Sequence, residues 1–343
     1  MTGKSLRFPA EWEPQSAILL AWPHAGTDWA DRLGEVEETY IAHVAAIVRF
    51  QRVLVCVADD DVEAYARARL ASNRIDMARV GFITLPYNDT WLRDTGPITL
   101  VGDGGYTLLD FRFTGWGGKF EAGEDDLLVQ RLQDSGIFSN SSTQSIDFEL
   151  EGGAIATDGA GSLLTTWRCL HERHPTASRA ELDERLRGWL RQDRVLWLEH
   201  GYLQGDDTDA HVDTLARFAP GDAIVFQACD DPGDPHHAEL AAMGDGIAAL
   251  RTVDGNPYRL FPLPWPKPVI DDGRRLAASY ANYLLVNGAV LMPAYGDPAD
   301  DAAAAVLARA HPGREVVQVP CRSLIWQNGS LHCISMQLPA GLI

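Results

Sequence analysis

Residues suited to chemistry recur along this chain at nearly even intervals, and that recurrence limits its fold more than any other feature. They stand in polar loops: Asp94 in NDTWLRDTGP, Glu151 in LEGG, His211 in DDTDAHVD, Tyr280 in SYANY and Cys333 in SLHC. Subtracting successive positions gives spacings of 57, 60, 69 and 53 residues, each about the length of a strand, a helix, a second strand and a loop. A fivefold quasi-repeat follows, with each unit delivering one reactive loop. Runs rich in Val, Ile and Leu alternate with amphipathic acidic stretches, which predicts an α/β fold. Strands are predicted near 16–22, 52–58, 80–85, 106–113, 162–166, 194–198, 223–227, 283–293 and 315–319. Helices are predicted over 33–49, 60–71, 124–133, 178–191, 236–250 and 298–310, with Asp60, Ser178 and Asp297 as caps.

At 343 residues the chain has room for two domains or one large unit of repeats. No linker rich in Pro, Gly or Ser divides it, and the proline-rich 257–268 segment reads as a packed loop, so a single domain over 1–343 is expected. Lys and Arg total 29 against 48 Asp and Glu, a net charge of −19. Such a field repels phosphate backbones, which argues against a nucleic-acid partner; it attracts cations, or simply keeps the surface solvated. The opening MTGKSLRFPAEWEPQ lacks an apolar signal core, and no apolar run approaches the ~18 residues of a membrane span. The five cysteines, odd in number and without a C-x-x-C pair, suit a reducing cytoplasm better than a disulfide framework.

His211 and Asp213 are two apart, so an extended segment would point both to one face; a histidine at a strand end beside a solvated aspartate is the ordinary alternative. Cys333 directly follows His332, and strand neighbours face opposite ways, so His332 reads as badly placed to be its base, with His211 available instead. Cys333 is either a thiolate nucleophile or a small buried residue, and Cys56, Cys229 and Cys321 take the second reading. Glu151 precedes Gly152 and Gly153, which permit a turn or a close backbone approach. Asp94 follows Arg93, with which it could form a purely structural ion pair. Cys169, His171 and His174 approach zinc-ligand spacing but have Arg168 and Arg173 alongside and no fourth ligand nearby. His236 and His237, at a helix start, read as surface residues. Singly each site is ambiguous. Jointly, a thiol, an imidazole and three carboxylates in an acidic field suit a planar cation, because guanidinium offers N–H donors in a fork that carboxylates match.

Seven ordered blocks, PAEWEPQSAILLAWP, NDTWLRDTGP, FTGWGG, LEGGAIATDG, GDDTDAHVDTLARF, RLAASYANYLLVNGAVLMPAYGDP and SLHCISMQLPA, together resemble the agmatine deiminase and bacterial-type peptidylarginine deiminase family. The resemblance runs from about Phe8 to Ala340. It implies the guanidine-modifying α/β propeller, or pentein, of five pseudo-symmetric ββαβ units around a central site. It also implies Cys333 as nucleophile, His211 and Asp213 as an H-x-D pair, Asp94 as the R-D-x-G-P aspartate and Glu151 as the E-G-G glutamate. On that reading the Cys333 thiolate attacks the guanidinium carbon, and His211 protonates the leaving nitrogen and later deprotonates water. Asp94 and Asp213 hold the guanidinium nitrogens, Glu151 supports His211, and no metal or organic cofactor is needed.

The chain departs from the family pattern in three places. WQNGSL at 326–331 stands where members acting on agmatine usually carry a glycine run, Gln15 replaces the histidine of E-P-H, and Asp209-Ala210 replace Asn-Gly. Candidates for holding a distal amine are Trp91, Trp116, Asp206 and Asp207, and GWGGK at 115–119 is glycine-rich enough to be a mobile cap. The expected activity is that of a cytoplasmic agmatine deiminase, converting agmatine and water to N-carbamoylputrescine and ammonia on the way to putrescine, with a homodimer as a candidate assembly. Deimination of peptidyl or free arginine, a non-catalytic guanidine or polyamine binder, and a zinc hydrolase are the alternatives.

Overall fold

The computed structural model describes residues 6–138 and 140–343. Five mixed sheets repeat one pairing rule. The strands β1 (Gln15–Ala21), β2 (Arg52–Val57) and β3 (Val80–Thr84) run parallel. In the next sheet β4 (Ile98–Gly102) lies antiparallel to β5 (Gly105–Arg112), which runs parallel to β6 (Ser141–Glu149). The same antiparallel-then-parallel order holds in β7 (Ile155–Thr157), β8 (Ser162–Thr166) and β9 (Arg194–Leu198). It recurs in β10 (Ala216–Ala219), β11 (Ala223–Gln227) and β12 (Arg259–Leu263). After the short ribbon β13 (Ile270–Asp271) and β14 (Arg274–Arg275), it returns in β15 (Leu284–Val286), β16 (Ala289–Ala294) and β17 (Glu315–Pro320). The last strand, β18 (Met336–Pro339), pairs antiparallel with β1, Gln15 opposite Pro339, and gives the first sheet its antiparallel member. The fold is mixed α/β, and each reactive loop joins the last strand of one sheet to the first strand of the next.

The middle strands are nearly continuous apolar runs because helices or neighbouring sheets cover both faces; β11 is buried throughout, and β2 is buried from its second residue on. Helices begin where local chemistry satisfies their free N–H groups. Ser178 and Glu181 form a reciprocal capping box ahead of Arg179–Leu190. Asp59, one residue before the predicted Asp60, accepts from the Val62 N–H. Asp297 braces the preceding turn through the Ala299 N–H and does not cap Asp300–Ala310.

Among the stretches that differ from the sequence expectation, two bear on the topology. The predicted 283–293 strand is a hairpin, broken at Asn287-Gly288, where Gly288 adopts φ +81°; a single apolar run conceals a turn when both arms are buried. The predicted loop over 257–268 contains β12, which tolerates Pro262 because only β11 pairs with it. Among the described residues, no helix is long and apolar enough to cross a membrane.

Candidate active site

Cys333 sits in a turn over 331–334 ahead of β18, not in an extended segment. Because the backbone turns, His332 and Cys333 converge on one carboxylate. His332 Nδ1 lies 2.7 Å from Asp213 Oδ2, and Cys333 Sγ lies 3.7 Å from the same oxygen. His332 Nε2 is 2.9 Å from Glu11 Oε1, and Glu11 in turn pairs with Arg217. Asn282 fixes the turn: its Oδ1 accepts from the N–H groups of His332 and Cys333 at 3.1 and 3.3 Å, while its Nδ2 lies 3.2 Å from the sulfur.

A second group meets the first at Gly153. Asp94 Oδ1 accepts from the Gly153 N–H at 2.8 Å, and its Oδ2 accepts from Trp116 Nε1 at 2.9 Å. His211 stands at the start of a 3₁₀ turn, Val212–Thr214, with Nδ1 3.7 Å from Asp94 Oδ1 and Nε2 3.6 Å from Glu151 Oε2. A Cβ on Gly153 would lie 2.6 Å from His211 Nδ1, 2.7 Å from Asp94 Oδ1 and 3.2 Å from Asp213 Oδ2. Only glycine leaves room for these three groups to face one another. Among the described residues, Asp213 Oδ1, Glu151 Oε2 and both ring nitrogens of His211 are buried without a hydrogen-bond partner.

The electrostatics follow from this crowding. Burial raises the Cys333 thiol well above its ordinary range, and Asp213 and Asp94 push the same way. Burial opposes a charged His211, but Asp94, Cys169 and Glu151 outweigh it and favour the imidazolium. Burial, aided by Asp213 and Glu151, raises Asp94 to about 6. Burial works to raise Glu151 and Asp213 as well; His211 and Arg173 overcome it for Glu151, and His332, His211 and Arg217 for Asp213, so both fall below the usual carboxylate range.

Cys333 and Asp94 open on a cavity of about 690 Å³, whose walls include Trp91, Trp116, Asp207 and the 326–329 segment. His211, Glu151 and Asp213 lie behind that lining, each 1% exposed or less. A floor of thiol and carboxylates with an imidazolium behind it can bind a planar cation, attack its carbon and hand a proton to a leaving group.

Residues 7–339 match the Porphyromonas-type peptidyl-arginine deiminase family. The chain belongs to this family. The agmatine deiminase of Stutzerimonas stutzeri is similar to it at 34% identity, over 98% of this chain and 96% of the relative. Among solved structures, the C. jejuni agmatine deiminase, a cysteine-to-serine variant with substrate bound, superposes with TM-score 0.91 at 33% identity, covering 100% of this chain and 99% of the other. A protein provisionally named as a peptidyl-arginine deiminase superposes with TM-score 0.92 at 39% identity, over 98% and 99% of the two chains.

In this member of the deiminase family several sequence expectations need correction. His332 is not turned away from the site, because its segment is not extended; it is the direct partner of Asp213. Arg93 does not pair with Asp94 but turns to Gln337 at 2.6 Å and Glu11 at 3.6 Å. Asp206 faces its own turn, accepting from the N–H groups of Thr208 and Ala210, and does not line the cavity. His236 is buried against Asp234 at 2.7 Å and is not a surface residue. The zinc-like trio disperses: His171 stacks on Trp167, and His174 stacks on Phe148 with Nε2 at the Glu149 carbonyl. Cys169 instead groups with Glu151 and His211, their donor atoms all within 4.8 Å of one another, the one set among the described residues with the spacing to hold a metal ion.

Sequence reasoning missed Glu11, Asn282, Gly153 and Arg173 as parts of the deiminase site. Asn282 carried a signal, since it lies in the SYANY loop of the repeat. Glu11 and Arg173 carried none, because their partners are distant in sequence.

Proposed function

We propose that this chain is an agmatine deiminase, a hydrolase that cleaves a guanidine C–N bond of a small cationic substrate. The observation that carries this reading is the pairing of an open thiol with unsatisfied acceptors: Cys333 and Asp94 face the cavity while Asp213 Oδ1 and Glu151 Oε2 lack partners. A guanidinium has N–H donors on its edges and supplies what these oxygens lack. Burial does most to keep the thiol protonated, and Asp213 and Asp94 add to it; lodged between those two carboxylates, the guanidinium offsets their charges, so the substrate itself helps release the Cys333 proton.

The thiolate then bonds to the guanidinium carbon. Imidazolium His211 protonates one nitrogen, the C–N bond breaks, and ammonia leaves a covalent amidino-cysteine. Neutral His211 next takes a proton from water, whose oxygen attacks the same carbon. The C–S bond breaks, regenerating the thiolate, and the added oxygen gives up its remaining proton to solvent, leaving the ureido product, N-carbamoylputrescine. Glu151 stabilises the charged His211 in the first half of the cycle. No step calls for a metal or organic cofactor.

Agmatine as substrate is supported by the relatives that carry that activity in their names and by the cavity's charge. Asp28, Asp89, Glu121, Asp125 and Asp207 line it beyond Asp94, against Lys119 and Arg274. Trp91, Trp116 and Asp207 are our candidates for receiving the distal amine. We read the five sheets as blades of one propeller over 1–343, working in the cytoplasm. Arginine, free or peptidyl, is the second reading, favoured by Arg274 in the cavity wall, where its guanidinium donates to Asn328 Oδ1 and the Trp326 carbonyl and, among the described residues, forms no ion pair with a carboxylate.

Incubating the protein and its Cys333→Ala variant with agmatine, free arginine and a blocked arginine peptide, and measuring ammonia and ureido product, tests the assignment. Turnover of agmatine alone, abolished by the substitution, is expected. Product from arginine or the peptide moves the substrate and keeps the chemistry; no product from any of them leaves a guanidine-binding protein.

A further inference from the structure

Arg173 ends the helix Trp167–Arg173, and its side chain is 1% exposed. Nε lies 2.6 Å from Glu151 Oε1 and 3.6 Å from Glu149 Oε1; Nη1 lies 2.6 Å from Asp209 Oδ2; Nη2 donates to the Thr208 carbonyl at 3.1 Å. Two of these carboxylates also hold the 115–119 loop. Glu149 Oε1 accepts from the Gly117 N–H at 3.0 Å and from the Thr114 hydroxyl. At the far end of the loop, Lys119 Nζ lies 2.6 Å from Asp209 Oδ2 and 2.5 Å from the Asp207 carbonyl. The loop is thus fastened at both ends to groups that Arg173 also grips.

What is fastened is conformationally costly. Gly115, Trp116, Gly117 and Gly118 all have left-handed backbone, with φ of +71°, +56°, +81° and +81°. Asp209 and Ala210, directly before His211, do too, at +65° and +71°. A non-glycine residue in this region costs about 1–2 kcal/mol, and such strain persists only where the surroundings enforce it. The loop carries Trp116, whose Nε1 holds Asp94, while Arg173 occupies Glu151 Oε1 and leaves Oε2 free to face His211.

We infer that Arg173 is a positioning residue that couples closure of the 115–119 loop over the cavity to the orientation of Glu151, with Asp209 and Lys119 as the latch. The inference rests on the deiminase reading for the roles of Glu151 and His211. Closing the latch places Trp116 against Asp94 and sets Glu151 toward His211, so both carboxylates are ordered by one event. His211 is faced by Asp94, Glu151, Cys169 and Asp213, and removing the nearby Arg173 cation takes away a positive charge that opposes the imidazolium, which raises the His211 pKa further.

The test uses the full chain and Lys119→Met, Asp209→Asn, Arg173→Gln and Arg173→Lys. With agmatine as substrate, Lys119→Met is expected to lower kcat/KM about fivefold, the worth of a half-exposed ion pair, with kcat falling because Asp94 and Glu151 are less well ordered. Arg173→Gln is expected to lower kcat about 10²-fold and to move the histidine limb of the pH profile upward, and Arg173→Lys to return the limb to its wild-type position. An unchanged limb in Arg173→Gln, or an unchanged kcat/KM in Lys119→Met, overturns the coupling. Trypsin cleavage after Lys119 provides a readout without turnover: Asp209→Asn is expected to be cut several-fold faster than wild type at equal melting temperature. Equal cutting refutes the latch even if the wild type proves inactive on every guanidine, an outcome that by itself counts only against the deiminase assignment.

Discussion

Replacing Gly153 by alanine is the sharpest probe of the site, because the residue touches chemistry only through what it lacks. Its backbone is outside the left-handed region, so alanine is conformationally acceptable and the whole effect comes from one methyl group. That methyl would lie 2.6 Å from His211 Nδ1 and 2.7 Å from Asp94 Oδ1, against an ordinary contact of about 3.5 Å. Both groups must therefore withdraw by somewhat under ~1 Å, and a misplacement of that order costs about 10²-fold in rate, or about 2.7 kcal/mol of barrier. Overpacking a buried site also costs about 1–3 kcal/mol of stability. Ammonia release under kcat/KM conditions and a thermal melt read the two effects separately. Activity within about threefold of wild type, with an unchanged melting temperature, would refute the convergence of His211, Asp94 and Asp213 on this glycine.

Gly188 and Gly246, on helices with nothing within 4 Å of an added Cβ, give the opposite sign: alanine at either is expected to stabilise by about 0.5–1 kcal/mol, raising the melting temperature with no change in turnover. Asp94, raised to about 6, is expected to make kcat/KM fall as pH drops through about 6 and the carboxylate takes up a proton; Asp94→Asn should lower activity at least about 10²-fold and abolish that limb, and a persisting limb assigns it to another group. Asp89 and Asp125 are each raised to about 7 by burial. Because the folded pKa lies above the unfolded one, the stability they allow is present below the ordinary carboxylate range and lost as pH rises through about 7. Between pH 6 and 8 the melting temperature should fall, and fall less in the Asp89→Asn/Asp125→Asn double variant.

The repeat was readable because each unit places its reactive loop at the same point, between the last strand of one sheet and the first of the next, so even spacing survives without sequence identity. Cys333, Asp94, Glu151 and His211 mark those loops and Asp213 stands two residues from His211, but their roles come from the family resemblance and not from the spacing. His332 could not be placed, since the rule that strand neighbours face apart fails once residues 331–334 turn. Arg173 was set aside as a flanking charge because its partners, Glu151 and Asp209, lie 22 and 36 residues away. Glu11 is 321 residues from His332, and no local pattern reports such a pairing. The hairpin within 283–293 was hidden by burial of both arms, which erases the alternation that marks a strand facing water.

The pairing of β1 with β18 also sets a timetable. Cys333 lies just ahead of β18, and Glu11, which reaches His332, lies just ahead of β1. The Cys333 thiol therefore acquires its surroundings only when the segments around β1 and β18 have met. During synthesis, the sheets from β4 to β17 have every strand in hand before β18 leaves the ribosome, yet the first sheet still lacks a strand and the turn over 331–334 has nothing to rest on. A ribosome-bound chain that stops short of residue 333 holds four of the five reactive loops and lacks the thiol. A product truncated ahead of β18 therefore lacks the contacts that surround Cys333, and on the deiminase reading it is inert toward guanidines.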